Sequence, residues 1–393
     1  MPDPTDFELE LGRIDGALSE FHCDPTAGGA FDAERATRYV YGLYQRASLK
    51  GDLAGLERAG EAIERAVARA ANPADLYFLK ASLDFKLHRL PGVRRCLDAS
   101  PGLRDSPQGR ALRADLDFQE GRYEEARAGY EDLARDEPTW DNLARLAHLR
   151  AKLGDIAEAE RLYAEAGDEL TAKEMRHFCW LELQLGELDV SRGRFEEART
   201  HYERAGRAYS GYWMVEEHAA ELLGALGRVE EAAALYEKVL SRLPRPEFMQ
   251  ALGELYEFAG RPAEAEPWFE RALGEYLDSA RRGGVHYYHH LADFYSDVRE
   301  DGAEAVRWAR RDLELRENFS TQAALAWALY RDGQFAEARG MMKRSLASGA
   351  REARLFAKAA AVYGAAGEAA EAEKYSRMAA EINPRHGSFH VHR

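Results

Sequence analysis

Apolar residues fall into paired runs of helical period along most of the chain. Leu143, Leu146, Ala147 and Leu153 form one run, Ile156, Ala159, Leu162, Tyr163 and Ala166 form the next, and Gly154 lies between them. A helix buried on one face shows this rhythm of threes and fours, so each pair of runs predicts two helices joined by a tight turn. The pair then repeats. GRYEEARAGY from Gly121, GDIAEAERLY from Gly154, GRFEEARTHY from Gly193, GRVEEAAALY from Gly227, GRPAEAEPWF from Gly260, GQFAEARGMM from Gly333 and GEAAEAEKYS from Gly367 share one phrase, at intervals of 33, 39, 34, 33, 73 and 34 residues. A degenerate copy, EDGAEAVRWARRDLELREN around Glu300, divides the interval of 73 into 40 and 33. Weaker copies begin at Gly51 (KGDLAGLERA) and His88 (HRLPGVRRCL), the latter again 33 residues before Gly121. A fixed period of this length marks stacked helical repeats, here about ten of them.

Each residue type in the phrase has a mechanical role. The glycine supplies the left-handed backbone that closes a helix at its C-terminus. Ala126, Ala159, Ala198, Ala232, Ala265, Ala338 and Ala372 let neighbouring backbones approach, and Tyr130, Tyr163, Tyr202, Tyr236 and Phe269 fill the space beside them. Pro138, Pro244 and Pro384 close second helices. Seven such phrases in near-constant phase resemble the tetratricopeptide repeat superfamily over nearly the whole chain, in a multi-repeat form of bacterial type. The resemblance implies an all-α, right-handed superhelical solenoid of about ten antiparallel helix hairpins, its first helices lining a concave groove that binds a peptide or partner protein.

A stack of this kind shares one continuous core, so residues 35–384 are expected to form a single elongated domain. Repeats are weak to about residue 104, clear from about 105, and degenerate over about 285–318. Residues 1–34 are expected to cap the first hairpin or stay mobile, and residues 385–393 form a His-containing tail expected over the last hairpin through Phe389 and Val391. Extra residues before Gly193 and before Glu300 predict lengthened helices or loops, and Pro267 inside a second helix predicts a kink.

Charge narrows the partners. Asp plus Glu number 69 against 54 Lys plus Arg, a net charge of −15 that repels phosphate backbones and anionic lipid, so neither nucleic acid nor membrane is expected. No apolar stretch approaches the roughly 20 residues of a membrane span. The opening MPDPTDFELELGR lacks the basic and apolar parts of a secretion signal, so a cytoplasmic protein is expected. Cys23, Cys96 and Cys179 are far apart and form no CxxC pair, which points to reduced thiols rather than a disulfide or zinc framework.

No GxxxxGK[ST], GxSxG or HExxH occurs and no GxGxxG follows a strand, so a binding scaffold rather than an enzyme is expected. In the geometry the resemblance implies, residues shortly before each anchor glycine face the groove. They read Arg145, His148 and Lys152; Trp180, Gln184 and Glu187; Glu217, His218 and Glu221; Glu247, Gln250, Glu254 and Glu257; Tyr287, His290, Phe294 and Asp297; then Trp327, Tyr330, Arg331, Arg354 and Lys358. Such a groove is acidic and aromatic in its middle and basic toward its end, which suits a ligand with a basic or mixed-charge segment and an apolar anchor. The paired lysines and asparagines with which some relatives clamp a carboxylate are not expected, because Asn72, Asn142, Asn318 and Asn383 all miss groove positions. Trp268 and Trp308, in second helices, are expected in the core.

One rival reading concerns chemistry. In VHYYHHLADFYSDV, His286, His290, Asp293 and Asp297 follow a spacing of four, three and four, which places imidazoles and carboxylates on one helix face. That donor set suits zinc or a similar divalent ion; no other cofactor is expected.

Overall fold

The structure, a computed structural model, describes residues 3–28, 30–71 and 73–391, and every regular element among them is helical. Contacts divide the chain into two compact units, residues 1–117 and 118–393, where the repeat phase predicts a single continuous core. Within the first unit the residues on both sides of Pro101, among them Val93, Leu97, Leu103, Leu112 and Leu116, share one core.

The first unit holds α1 (Asp6–Ser19), α2 (Ala33–Lys50), α3 (Leu53–Arg69), α4 (Ala74–Lys86), α5 (Leu90–Ala99), the single turn α6 (Pro101–Arg104) and most of α7 (Pro107–Gln119). Thr5 and Glu8 form a reciprocal cap on α1, which packs on α2. Arg65 on α3 holds the following loop through Asp24 (2.8 Å) and Thr26 (3.2 Å). Val40, Ile63, Leu76 and Leu83 share the core of hairpins α2/α3 and α4/α5.

The second unit continues with α8 (Tyr123–Asp136), α9 (Trp140–Lys152), α10 (Ile156–Asp168), α11 (Met175–Val190), α12 (Phe195–Ala208), α13 (Trp213–Ala225) and α14 (Val229–Arg242). There follow α15 (Pro246–Phe258), α16 (Pro262–Arg281), α17 (Tyr288–Asp293), a π-helical turn (Phe294–Val298), α18 (Gly302–Leu315), α19 (Phe319–Arg331), α20 (Phe335–Leu346), α21 (Ala353–Ala365) and α22 (Ala369–Ile382). Adjacent helices pair as antiparallel hairpins, and each hairpin packs on the next. The extra residues go where the interrupted period puts them. α11 has 16 residues where α9 and α13 have 13, and α16 reaches 20, running on through Pro267 to Arg281.

Two features of the repeat show how sequence becomes hairpin. The anchor glycines sit in the left-handed region, for example Gly121 at φ 74° and Gly367 at φ 81°. In the two degenerate units that lack the glycine, His88 (φ 58°) and Glu300 (φ 51°) adopt the same conformation. The turn therefore dictates the backbone even where an L side chain resists it, at a cost of roughly 1 kcal/mol. Glu300→Gly is expected to stabilise the second unit by about 1 kcal/mol, less a few tenths for the exposed Glu300–Arg331 ion pair, read as a higher urea midpoint. A lowered midpoint would show that the ion pair outweighs the backbone strain.

The second feature is the partner of the repeated aromatic. It packs on a small residue of the first helix, seven positions before the anchor. A Cβ on Gly186 would come within 2.1 Å of the Tyr202 ring, and one on Gly253 within 2.6 Å of the Phe269 ring. Ala114, Ala147, Ala220 and Ala326 occupy the same register elsewhere.

Candidate binding surface on the inner face

Winding brings hairpins about 200 residues apart into contact within the second unit. Lys152 at the end of α9 pairs with Glu352 ahead of α21 (2.5 Å), and the Arg351 N–H donates to the Lys152 carbonyl (2.8 Å). Asn318 donates to Gln119 (2.8 Å), and Asn383 to the Val190 carbonyl (3.4 Å). These contacts flank a partly open cavity of about 460 Å³ that is lined by His148, Lys152, Glu187, Arg316 and Lys358 among others. The trough expected along the first helices is bridged at these points in the second unit. Each hairpin is rotated slightly against its neighbour, and the accumulated rotation carries the chain back onto itself.

The residues drawn onto the groove from sequence fall into three sets. The acidic middle comes together. On α13, Glu217 (4% exposed) and Glu221 (1% exposed) are buried, and His218 Nδ1 lies 3.0 Å from the Glu217 carboxylate and 2.9 Å from the Met214 carbonyl. Tyr276 OH on α16 donates to Gln250 of α15 (2.8 Å), and the Gln250 amide donates to Glu254 (2.8 Å), which orients the Glu254 carboxylate. Glu257, one turn on, is exposed, and its carboxyl is raised by partial burial and by the nearby Glu254 charge.

The second set serves packing. Phe294 is fully buried. Tyr287 donates to Glu247 (3.2 Å), and His290 stacks on Tyr276 (centroids 5.4 Å, interplanar angle 11°). Trp180 is half-buried edge-on to Trp140 (6.1 Å), and Arg145 pairs with Asp141 (2.8 Å) on its own helix. Trp308 is buried as expected, while Trp268 is half-buried with Arg271 over its ring (4.6 Å).

The third set lies toward the basic end. Trp327 stacks on Tyr330 (4.9 Å), donates its indole N–H to Asp297 (2.7 Å) and carries the Lys358 ammonium over its ring (5.6 Å). Arg331 donates to the Ser296 carbonyl (2.7 Å) and pairs with Glu300.

The four residues of the divalent-ion reading take up separate contacts. Among the described residues no three His, Cys, Asp or Glu side chains converge as ligands. The helix of His290 and Asp293 changes to a π turn at Phe294, where the Arg299 N–H bonds back to the Phe294 carbonyl (3.0 Å). The wider turn rotates Asp297 off the expected face and onto Trp327, while Asp293 faces Lys358 (3.8 Å). His286 stands ahead of α17, and its imidazole is lowered to about 4, first by burial. Buried Cys96 and Cys179 have thiols pushed up to about 11 and about 12 by desolvation, which suits packing rather than reaction.

The tail is placed differently from its expectation. Phe389 does not cover the last hairpin; it is buried against Gly224 of α13 and beside Phe258 of α15 (centroids 6.0 Å). A glycine inside a helix, with no turn to make, is the sequence signal that marks such close approach, and Gly224 carried it.

Helical hairpins packed each on the next, with a lined interior in the second unit, define a helical repeat solenoid. Tetratricopeptide repeat models match residues 320–352, 249–282 and, in two stretches, 180–204 and 217–238. Over these stretches the second unit carries sequence of the tetratricopeptide repeat type. A tetratricopeptide repeat protein from Parabacteroides merdae is 20% identical, with 62% of this chain aligned to 93% of that one and a TM-score of 0.37. The APC/C hetero-tetramer Cut9-Hcn1 is 16% identical over 96% of this chain and 79% of that one (TM-score 0.42). Naa15/Naa10 bound to HypK-THB is 16% identical over 95% and 66% (TM-score 0.30). No curated protein matches the chain. Among the described residues no helix is long and apolar enough to cross a membrane.

Proposed function

We propose that the chain is a protein-interaction scaffold whose second unit holds an extended segment of a partner on the inner faces of α13, α15 and α19. The observation that carries this reading is the inner face itself, where Glu217 and Glu221 are buried on α13, Glu254 is oriented on α15, and the chain's own tail already rests on Glu221. Buried and oriented carboxylates favour a partner that brings positive charge, and the half-buried Trp327 offers an apolar anchor point. The ligand is accordingly a peptide or protein segment of basic or mixed charge with an apolar side chain.

Affinity capture from the native host, with Trp327→Ala combined with Glu254→Lys as the control, tests the reading. The double variant is expected to lose most specific partners while keeping its helical circular dichroism. Retention of every partner by a folded variant would overturn the inner-face assignment.

A further inference from the structure

After α22 the chain leaves its own hairpin. Asn383 bonds to the Val190 carbonyl, and the Arg385 guanidinium lies over the Phe195 ring (4.9 Å), so the start of the tail is held by hairpin α11/α12. The chain then crosses to α13 and α15. Phe389, 5% exposed, lies in a slot whose floor is Gly224; a Cβ there would come within 2.4 Å of the ring. Next in sequence, His390 places Nδ1 2.6 Å from Glu221 Oε1, and the Val391 N–H donates to the same oxygen (2.5 Å). Arg354 on α21 donates to the His390 carbonyl (3.4 Å).

These contacts are of the kind a peptide site uses: a pocket for one side chain, and charged groups that grip the main chain beside it. Glu221 is 1% exposed, so it needs a positive group and a donor against it whatever segment occupies the slot. The tail fills the slot incompletely. Phe258 keeps 55% of its surface exposed although the Phe389 ring lies against it, so apolar surface continues past what the tail covers. Residues 384–387, which lead into the slot, are exposed and belong to no helix.

We propose that Gly224, Phe258 and Glu221 form a docking slot for an extended partner segment with an aromatic residue followed directly by His, Lys or Arg, and that the tail is its resident competitor. The proposal rests on the inner face being a protein-binding surface and names the segment it selects. A tail that occupies the slot more than nine-tenths of the time weakens an external ligand at least about tenfold.

The test uses the full chain and a dye-labelled peptide of sequence RHGSFHVHR, followed by fluorescence anisotropy. Phe389→Ala, which empties the slot, is expected to bind the peptide at least about tenfold more tightly than the unsubstituted chain. Adding Glu221→Gln is expected to remove most of that gain, and a peptide with Ala in place of Phe is expected not to bind. Should Phe389→Ala lose helical signal, His390→Glu expels the tail through repulsion from Glu221 and leaves the aromatic in the chain. Equal binding by the unsubstituted and tail-released chains, or binding indifferent to Glu221→Gln, would overturn the proposal. Failure here with partner capture still dependent on Trp327 and Glu254 removes the slot and leaves the scaffold. Peptide binding with capture indifferent to those residues removes the scaffold reading instead and leaves the slot.

Discussion

Glu247→Ala is expected to destabilise the second unit by about 3 kcal/mol, seen as a lower urea midpoint with unchanged slope. Glu247 and Arg245 pair at the start of α15, with side-chain exposures of 13% and 21%, and Tyr287 donates to the same carboxylate. Removing the carboxylate leaves a largely desolvated guanidinium over the Trp213 and Phe248 rings with its partner gone. The size of the loss comes from that stranded charge rather than from the pair's net worth. Accordingly Arg245→Met with Glu247→Leu should recover much of it.

The same cluster sets a pH dependence. Burial pushes the Glu247 carboxyl up, but the charge and hydrogen bond of Arg245 outweigh this and hold it at about 2. A carboxyl depressed in the folded state adds stability above its unfolded value near 4.3 and loses it as pH falls toward 2. His286, lowered to about 4, works at higher pH: the unfolded chain takes up a proton below about 6.5 and the folded chain does not. Stability is therefore expected to fall between pH 6.5 and 4 and to fall again below 4.5. In Glu247→Ala the lower of the two declines should shrink. Midpoints flat from pH 7 to 4 would contradict the burial of His286.

Gly186→Ala is expected to cost about 2 kcal/mol, whereas Gly274→Ala gains roughly 1 kcal/mol. Both glycines stand inside helices, α11 and α16, where alanine is intrinsically better by about 1 kcal/mol. At Gly186 the new Cβ would meet the Tyr202 ring at 2.1 Å; at Gly274 nothing lies within 4 Å. Tyr202 is 4% exposed and cannot swing into solvent without opening the hairpin, so overpacking overrides propensity at one site and is absent at the other. Paired thermal or urea melts read the opposite signs directly. A stabilised Gly186→Ala chain would mean that the first and second helices of that hairpin sit farther apart than described.

Much of the architecture could be read before any coordinates. The anchor phrase located each turn, because the left-handed backbone after a first helix and the alanine and aromatic beyond it are local requirements that recur with the hairpin. Even the degenerate units obeyed it, with His88 and Glu300 taking the glycine conformation. The acidic character of α13 and α15 was likewise visible, since residues before an anchor share one helix face. Less was visible of what those faces meet. The spacing of His286, His290, Asp293 and Asp297 assumed an uninterrupted α-helix, and the π turn at Phe294 removed that assumption.

By itself the sequence determined the hairpins, their number and their phase, because each depends on residues within a few turns of one another. Tertiary structure alone decided that the chain divides at residue 117, that α9 returns to the approach of α21, and that Phe389 lies on α13 and α15. Those outcomes depend on small rotations summed over many hairpins and on contacts between residues up to 200 positions apart, which no local pattern encodes.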